Sequence, residues 1–244
     1  MALFATKNLV KKFGGVHAVD HVSIEFPAGA ITALVGPNGS GKTTLINTVT
    51  GLLPIDGGEV VVGERMRLKK INPFDIASFG VTRTFQSVRL IGQMTVLNNL
   101  LLVLTERSVW GALFERHSKL HLEHTEALLK KVGLWEKRHE LAENLSYGQR
   151  KLLEIARALA MKSSIYFFDE PFAGLFAEMR KTVSGILREL KAGGAAVVLV
   201  EHDMALVREL ADRCVVLDSG KLIAEGSPEE VLSQQTVIDA YLGK

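Results

Sequence analysis

Cysteine is almost missing from this chain: Cys214 is the one thiol in 244 residues. No intrachain disulfide can form. A lone cysteine within the apolar run Cys214-Val215-Val216-Leu217 is expected to be a small buried hydrophobe in a reducing compartment. A surplus of one charge is missing too. With 29 basic and 27 acidic residues the formal net charge is +2, which gives no bulk electrostatic case for nucleic acid or an anionic membrane. Long apolar runs are also lacking. The longest candidate, Leu100 to Leu104, falls far short of the roughly 18 apolar residues a spanning helix needs. The opening residues, Met1 to Lys7, have neither a basic head nor a long apolar core, so no signal peptide is visible. These absences lead to the expectation of a soluble, cytoplasmic chain whose membrane role, if any, comes through partners. What remains is ample for folding. At 47% hydrophobic the chain can bury a full core as one large domain or two closely joined subdomains.

The stretch that organises the rest is Val35-Gly36-Pro37-Asn38-Gly39-Ser40-Gly41-Lys42-Thr43-Thr44. It fits the phosphate-binding pattern of Gly, any four residues, then Gly-Lys-Ser/Thr. Glycines let the backbone curl so that successive N–H groups point inward at a polyanion. The helix that follows offers unsatisfied N–H donors and the positive end of its dipole to the same phosphates. Lys42 is placed to meet the β- and γ-phosphates, and the Thr43 hydroxyl to hold Mg²⁺. A glycine-rich turn between strand and helix is the plain alternative, but the apolar run Ile31 to Val35 before it and the helical pattern after it favour the phosphate loop.

Before the loop, Val22 to Phe26 alternates apolar and polar, and Ile31 to Val35 reads as a strand buried on both faces, as in a parallel sheet. The first sixty residues read as short strands and turns. Phe13, in Lys11-Lys12-Phe13-Gly14-Gly15, is either a satellite core contact or an aromatic face for adenine. After the loop a helix over Thr43–Thr50 is expected to stop at Gly51, with Pro54 beyond, and a strand to follow over Glu59–Val62. The basic residues Arg65, Arg67, Lys69 and Lys70 read as a solvated face. Past Gln86 the texture changes to helical patterns, through Val96 to Leu104 and then Leu122, Leu128, Leu129 and Val132. The middle third has no convincing strand and is expected to be a helical subdomain inserted into an α/β core.

Leu145-Ser146-Tyr147-Gly148-Gln149 opens a strong helix, and Ser146 with Gln149 has the form of a capping box. Gly148 is a poor choice for a first turn, which implies that something approaches the backbone there. Ile165 to Phe168 is an apolar run ending in Asp169-Glu170. A parallel strand finishing at the sheet's C-terminal edge delivers such residues to a ligand crevice. There Asp169 can reach Mg²⁺ and Glu170 can polarise an attacking water. Ala195 to Val200 is a further strand, ending in Glu201-His202-Asp203, and His202 can contact the γ-phosphate. The tail repeats the strand pattern at Cys214–Leu217. Ser227-Pro228-Glu229-Glu230 then caps a terminal helix expected to run to about Leu242.

Taken as a set, these residues resemble the ATP-binding subunits of ABC transporters along essentially the whole chain. Phe13 falls where that family has its adenine-stacking aromatic, and Gly36, Pro37, Asn38, Gly39, Ser40, Gly41, Lys42, Thr43 and Thr44 form its Walker A loop. Gln86 matches the Q-loop glutamine. Leu145, Ser146, Tyr147, Gly148 and Gln149 match the ABC signature. Ile165 to Asp169 is Walker B, Glu170 the catalytic glutamate and His202 the switch histidine. The resemblance implies an α/β fold with a RecA-like mixed-sheet core (about 1–86 and 160–227), an antiparallel β region, a helical subdomain (about 87–159) and a C-terminal helix (about 228–242). It also implies ATP and Mg²⁺ as cofactors, with Thr43, Gln86 and Asp169 toward the metal. Two such subunits sandwich two ATP molecules head to tail, so the signature of one acts in trans on the nucleotide of the other.

Arg83-Thr84-Phe85-Gln86, Met94-Thr95-Val96, the tyrosine in the signature and the ending Ala240-Tyr241-Leu242-Gly243 look like the ATPases of branched-chain amino-acid importers. That branch implies a second ATPase subunit, two integral permeases, an extracytoplasmic substrate-binding protein, and attachment to the inner face of the membrane. Urea importers and the lipopolysaccharide-export ATPase are similar enough to stay open. So does a soluble ABC ATPase of the iron–sulfur assembly type. Against the DNA-repair type, Gln86 to Leu145 is too short for a long coiled coil. The translation type carries two such domains, and here one Walker A occurs. A phosphate-loop kinase or GTPase lacks the signature and Glu170. One departure is Phe176, in Gly174-Leu175-Phe176, where the family usually has aspartate or asparagine.

Overall fold

The computed structural model describes residues 2–85, 88–104 and 119–242. They fall into two compact units.

The first unit, 1–83 with 163–170 and 186–244, contains two sheets. Strands β1 (Ala2–Phe13) and β2 (Val16–Pro27) form a long antiparallel hairpin closed at Gly14-Gly15. On the other side of β1 lies β4 (Gly57–Val62), followed by the edge strand β5 (Met66–Leu68), in the order β2-β1-β4-β5. The hairpin corrects the expectation of short strands here. β1 and β2 span 12 residues each, but register shifts between Thr6 and Leu9 and again before Lys11 break the two-residue alternation. A period-2 search cannot follow a strand through such bulges.

The second sheet is mostly parallel. It contains β3 (Ala30–Val35), β6 (Val81–Arg83), β7 (Ile165–Asp169), β8 (Ala196–Val200), β9 (Arg213–Asp218) and β10 (Lys221–Gly226), in the order β10-β9-β3-β8-β7-β6. β10 alone is antiparallel to its neighbour. The α/β class expected from the sequence is what is observed. Central β3 is buried on both faces. Leu34 joins one core cluster, which includes Phe4, Phe26 and Phe167, while Ala33 and Val35 join another with Cys214, Val216 and Val231. The three phenylalanines meet with ring centroids 5.5–6.0 Å apart, each fully buried aromatic contributing about 1.5–3 kcal/mol. Cys214 is buried as expected, and burial pushes its thiol up to about 11.

Helix α1 (Lys42–Val49) follows β3 directly. In the second unit, 84–162 with 171–185, α2 (Val96–Leu104), α3 (Lys119–Lys131) and α4 (Tyr147–Ala160) pack together. Buried Asn99 fixes the approach to α2: its side chain accepts from the Ile91 N–H and donates to the Ile91 carbonyl, both at 3.0 Å. Helix α5 (Ala177–Ala192) begins in this unit and ends in the first.

In the first unit, α6 (Met204–Leu210) is capped by Asp203, whose carboxylate accepts from the N–H groups of Ala205 and Leu206. The C-terminal helix is broken, contrary to the single helix expected to about Leu242. It comprises α7 (Pro228–Val231) and α8 (Gln235–Leu242). Between them the Ser233 hydroxyl donates to the Glu230 carbonyl at 2.9 Å, a side-chain bond that offers the backbone an alternative to the helical ladder. Ser227 and Glu230 make the expected capping box at the start of α7.

Candidate functional site

β3 delivers the chain to Gly36 at the C-terminal edge of the parallel sheet, where the strand gives way to a tight loop and α1. Two glycines are sterically required. Gly36 has φ +147°, and a Cβ there would lie 2.1 Å from the Leu217 carbonyl oxygen; at Gly41, with φ +101°, it would lie 2.3 Å from that of Ala18. The loop is thus pressed against the ends of β9 and β2, and no larger residue fits at either point. No side chain caps α1, which leaves its first N–H groups to a ligand or water.

Lys42 folds back over the loop. Its ammonium donates to the carbonyls of Gly36 (2.7 Å) and Pro37 (2.9 Å) and to the Ser40 hydroxyl (3.3 Å). Burial lowers its pKa from the ordinary lysine value, and the nearby Glu170 and Asp169 carboxylates oppose that shift. The Thr43 side chain, next along, is exposed.

Strands β7 and β8 end beside each other and supply the acidic half. Asp169 is buried at the end of β7 and meets the Arg83 guanidinium at 3.1 Å. Glu170 follows with φ +48°, a sparsely populated conformation for a side-chain-bearing residue that costs about 1–3 kcal/mol and clusters at functional sites. Its N–H donates to the Val200 carbonyl at 3.0 Å. Its Oε1 lies 3.1 Å from Nε2 of His202, just past the end of β8. A partly exposed carboxylate paired with an imidazole can hold a water and take its proton. Among the described residues no cluster of three or more His, Cys, Asp or Glu could cage a metal.

Phe13 sits at the tip of the β1–β2 hairpin, 50% exposed, with the Lys11 ammonium 5.4 Å from its ring centroid. It is not a satellite core contact. Gln86 lies outside the described residues. Leu145, Ser146, Tyr147, Gly148 and Gln149 stand at the head of α4 in the second unit. There Ser146 Oγ accepts from the Gln149 N–H (3.3 Å) and Gln149 Oε1 from the Ser146 N–H (3.0 Å). At Gly148 a Cβ would lie 2.7 Å from the Met179 sulfur, the far end of a flexible side chain in the same unit. Phe176, at the head of α5, is 79% exposed.

Arg83 enters the sequence reading only within the Arg83-Thr84-Phe85-Gln86 likeness and with no site role, although it meets Asp169 in the acidic half of the site. Its burial and its contacts with Asn47, Thr50 and Asp169 arise only in the folded sheet, and no local sequence pattern marks it.

Comparison with known proteins agrees with these features. Residues 19–173 match the family described as ABC transporter, and residues 221–244 match one described as branched-chain amino acid ATP-binding cassette transporter. The chain is 38% identical to the high-affinity branched-chain amino acid transport ATP-binding protein LivG of Salmonella typhimurium, over 99% of this chain and 98% of that one. It is 34% identical to the corresponding protein BraF of Pseudomonas aeruginosa, again over 99% and 98%. Among solved structures, a nucleotide-free ATP-binding cassette from an ABC transporter superposes with TM-score 0.88 at 35% identity, covering all of both chains. The ADP conformation of MJ1267, an ATP-binding cassette of an ABC transporter, gives 0.86 at 34%, also over both full lengths.

Proposed function

The chain belongs to the ABC transporter family of ATP-binding domains, and from that membership we propose that it is the ATP-hydrolysing subunit of an importer for branched-chain amino acids. Full-length likeness to relatives named for branched-chain amino acid transport carries this reading, with the matching C-terminal segment 221–244 in support.

In the proposed mechanism, ATP lies over the Gly36–Thr44 loop with its adenine against Phe13. The phosphates replace the carbonyl and hydroxyl partners of Lys42, so the ammonium turns from its own loop to the β- and γ-oxygens. A nucleotide trianion or tetra-anion is a better partner for a half-buried cation than two carbonyls are. The free N–H groups of α1 add their dipoles. Glu170 accepts the proton of the attacking water, and His202, already 3.1 Å from Glu170, holds that water and the γ-phosphate in line. Thr43, Gln86 and Asp169 are the residues that would hold Mg²⁺, whose chemistry is to neutralise charge on the phosphates. The exposed Thr43 hydroxyl and the buried Asp169 carboxylate are the oxygen donors such an ion takes.

The signature residues Leu145 to Gln149 act in trans, closing over the nucleotide of a second ABC ATPase subunit. Among the described residues no helix is long and apolar enough to cross a membrane. The proposed assembly therefore holds this subunit at the inner face of the membrane on two integral permeases, with a substrate-binding protein outside. No nucleic acid takes part. Affinity purification from detergent-solubilised membranes tests this. Two integral permeases and transport-coupled ATP hydrolysis are expected; recovery of soluble partners alone overturns the importer reading.

A further inference from the structure

Arg83 is the last residue of β6, at the edge of the parallel sheet, and its side chain is only 7% exposed. One guanidinium nitrogen, Nη2, donates to Asp169 Oδ2 at 3.1 Å. The other, Nη1, donates to Asn47 Oδ1 and, at 3.4 Å, to Thr50 Oγ1. Asn47 lies in the last turn of α1 and Thr50 is its C-cap. A single planar fork therefore spans from the helix that follows the phosphate loop to the carboxylate at the end of β7.

Stability alone does not call for such a group. A buried ion pair is often replaced by well-packed apolar residues with little loss, because desolvation of the two charges offsets their attraction. Orientation is a different matter. A carboxylate on a strand end can swing about its χ angles, and a metal-directed carboxylate must present one oxygen in a fixed direction. Arg83 takes up Oδ2, so the plane of the carboxylate is tied to the fork. Because the same fork grips Asn47 and Thr50, Asp169 is held in register with the helix that carries Lys42 and Thr43. Lysine could supply the charge but not the geometry, since its single ammonium cannot reproduce two donors held in one plane.

We propose that Arg83 is a positioning residue for the Mg²⁺–nucleotide complex, orienting the Asp169 carboxylate and locking it to α1. This rests on the assignment of Asp169 toward Mg²⁺ made above. Outer-shell partners of this kind are typically worth about 10- to 100-fold in metal affinity.

The test is calorimetric titration of ATP into the whole protein, once with excess MgCl₂ and once with EDTA, for wild type, R83K and R83M. Wild type is expected to gain affinity when the metal is present. In R83M and R83K that gain should fall by about 10- to 100-fold, with affinity in EDTA unchanged; a merely structural defect would weaken both. The wild-type gain retained in R83K would overturn the proposal, because charge without the fork would then suffice, and so would equal losses with and without metal. If wild type itself shows no gain, the metal assignment fails instead, and with it the basis of this proposal. Should R83M not fold, N47A removes the α1 anchor of the same fork and is expected to reduce the gain in the same sense. A wild-type gain in N47A would overturn the proposal.

Discussion

At Glu170 two constraints meet in one residue. Its backbone is held at φ +48°, which costs free energy, and its partly exposed carboxylate meets His202. Strain at that point is tolerated because the N–H is tied to Val200 on the neighbouring strand, so the backbone cannot relax without giving up that bond to β8. Glu170→Gln keeps the size and the hydrogen-bonding reach but cannot accept a proton. ATP affinity should stay within a few-fold of wild type while hydrolysis falls by about 10²- to 10⁴-fold, the usual worth of a general base. Steady-state phosphate release beside equilibrium nucleotide binding checks both halves, and turnover near wild type would remove Glu170 from that role. Residues such as this one were legible because their chemistry is local: an acid after an aromatic strand, or a lysine after glycines, announces itself within a few positions. Arg83 was not legible, for the opposite reason. Its partners Thr50, Asn47 and Asp169 lie 33, 36 and 86 residues away, and only the folded sheet brings them together.

Among the elements, α4 shows how one sequence feature can answer to two causes. Its capping box was readable from Ser146 and Gln149 and is present, because a cap is written in four consecutive residues. The glycine inside its first turn pointed to a close approach, and the sequence could not say by what. Met179 on α5 is one answer, with its sulfur 2.7 Å from where a Cβ would stand. A thioether can swing aside, so Gly148→Ala should change stability by no more than about 1 kcal/mol, alanine's better helix propensity offsetting the displacement of Met179. In a Met179→Ala background, where no side chain has to move, the same substitution should be the more favourable. Chemical denaturation of the two single variants and the double variant measures the coupling; a loss well above about 1 kcal/mol in G148A would show that Met179 cannot give way. The same contrast explains the strands. Burial on both faces made β3 stand out as an unbroken apolar run, whereas the bulges in β1 disguised a strand twice as long. At the C-terminus the periodicity ran on through a break that one serine hydroxyl helps to make.

For the whole molecule, Phe176 sets the sharpest test. Its carbonyl accepts from the Arg180 N–H at 3.0 Å, so it occupies the capping position of α5, where a polar side chain would serve the helix better. Among the described residues nothing explains the phenylalanine, and 79% of it faces solvent. If two subunits close on ATP as proposed, the segment around Phe176 is carried toward the facing subunit, and its ring leaves water. Burying an exposed phenylalanine contributes about 1.5–3 kcal/mol, which corresponds to at least tenfold in a dissociation constant. Glu170→Gln, unable to hydrolyse, should accumulate the closed pair in ATP and stay monomeric in ADP. Adding Phe176→Asn should raise the dissociation constant of that pair about tenfold or more, with ATP binding to the monomer unaltered. Sedimentation equilibrium in each nucleotide distinguishes the cases. Failure of E170Q to self-associate in ATP would rule out a homodimer and direct the search to a second, different ATPase as the facing subunit. Self-association undiminished by F176N would mean that the ring stays in water when the pair closes.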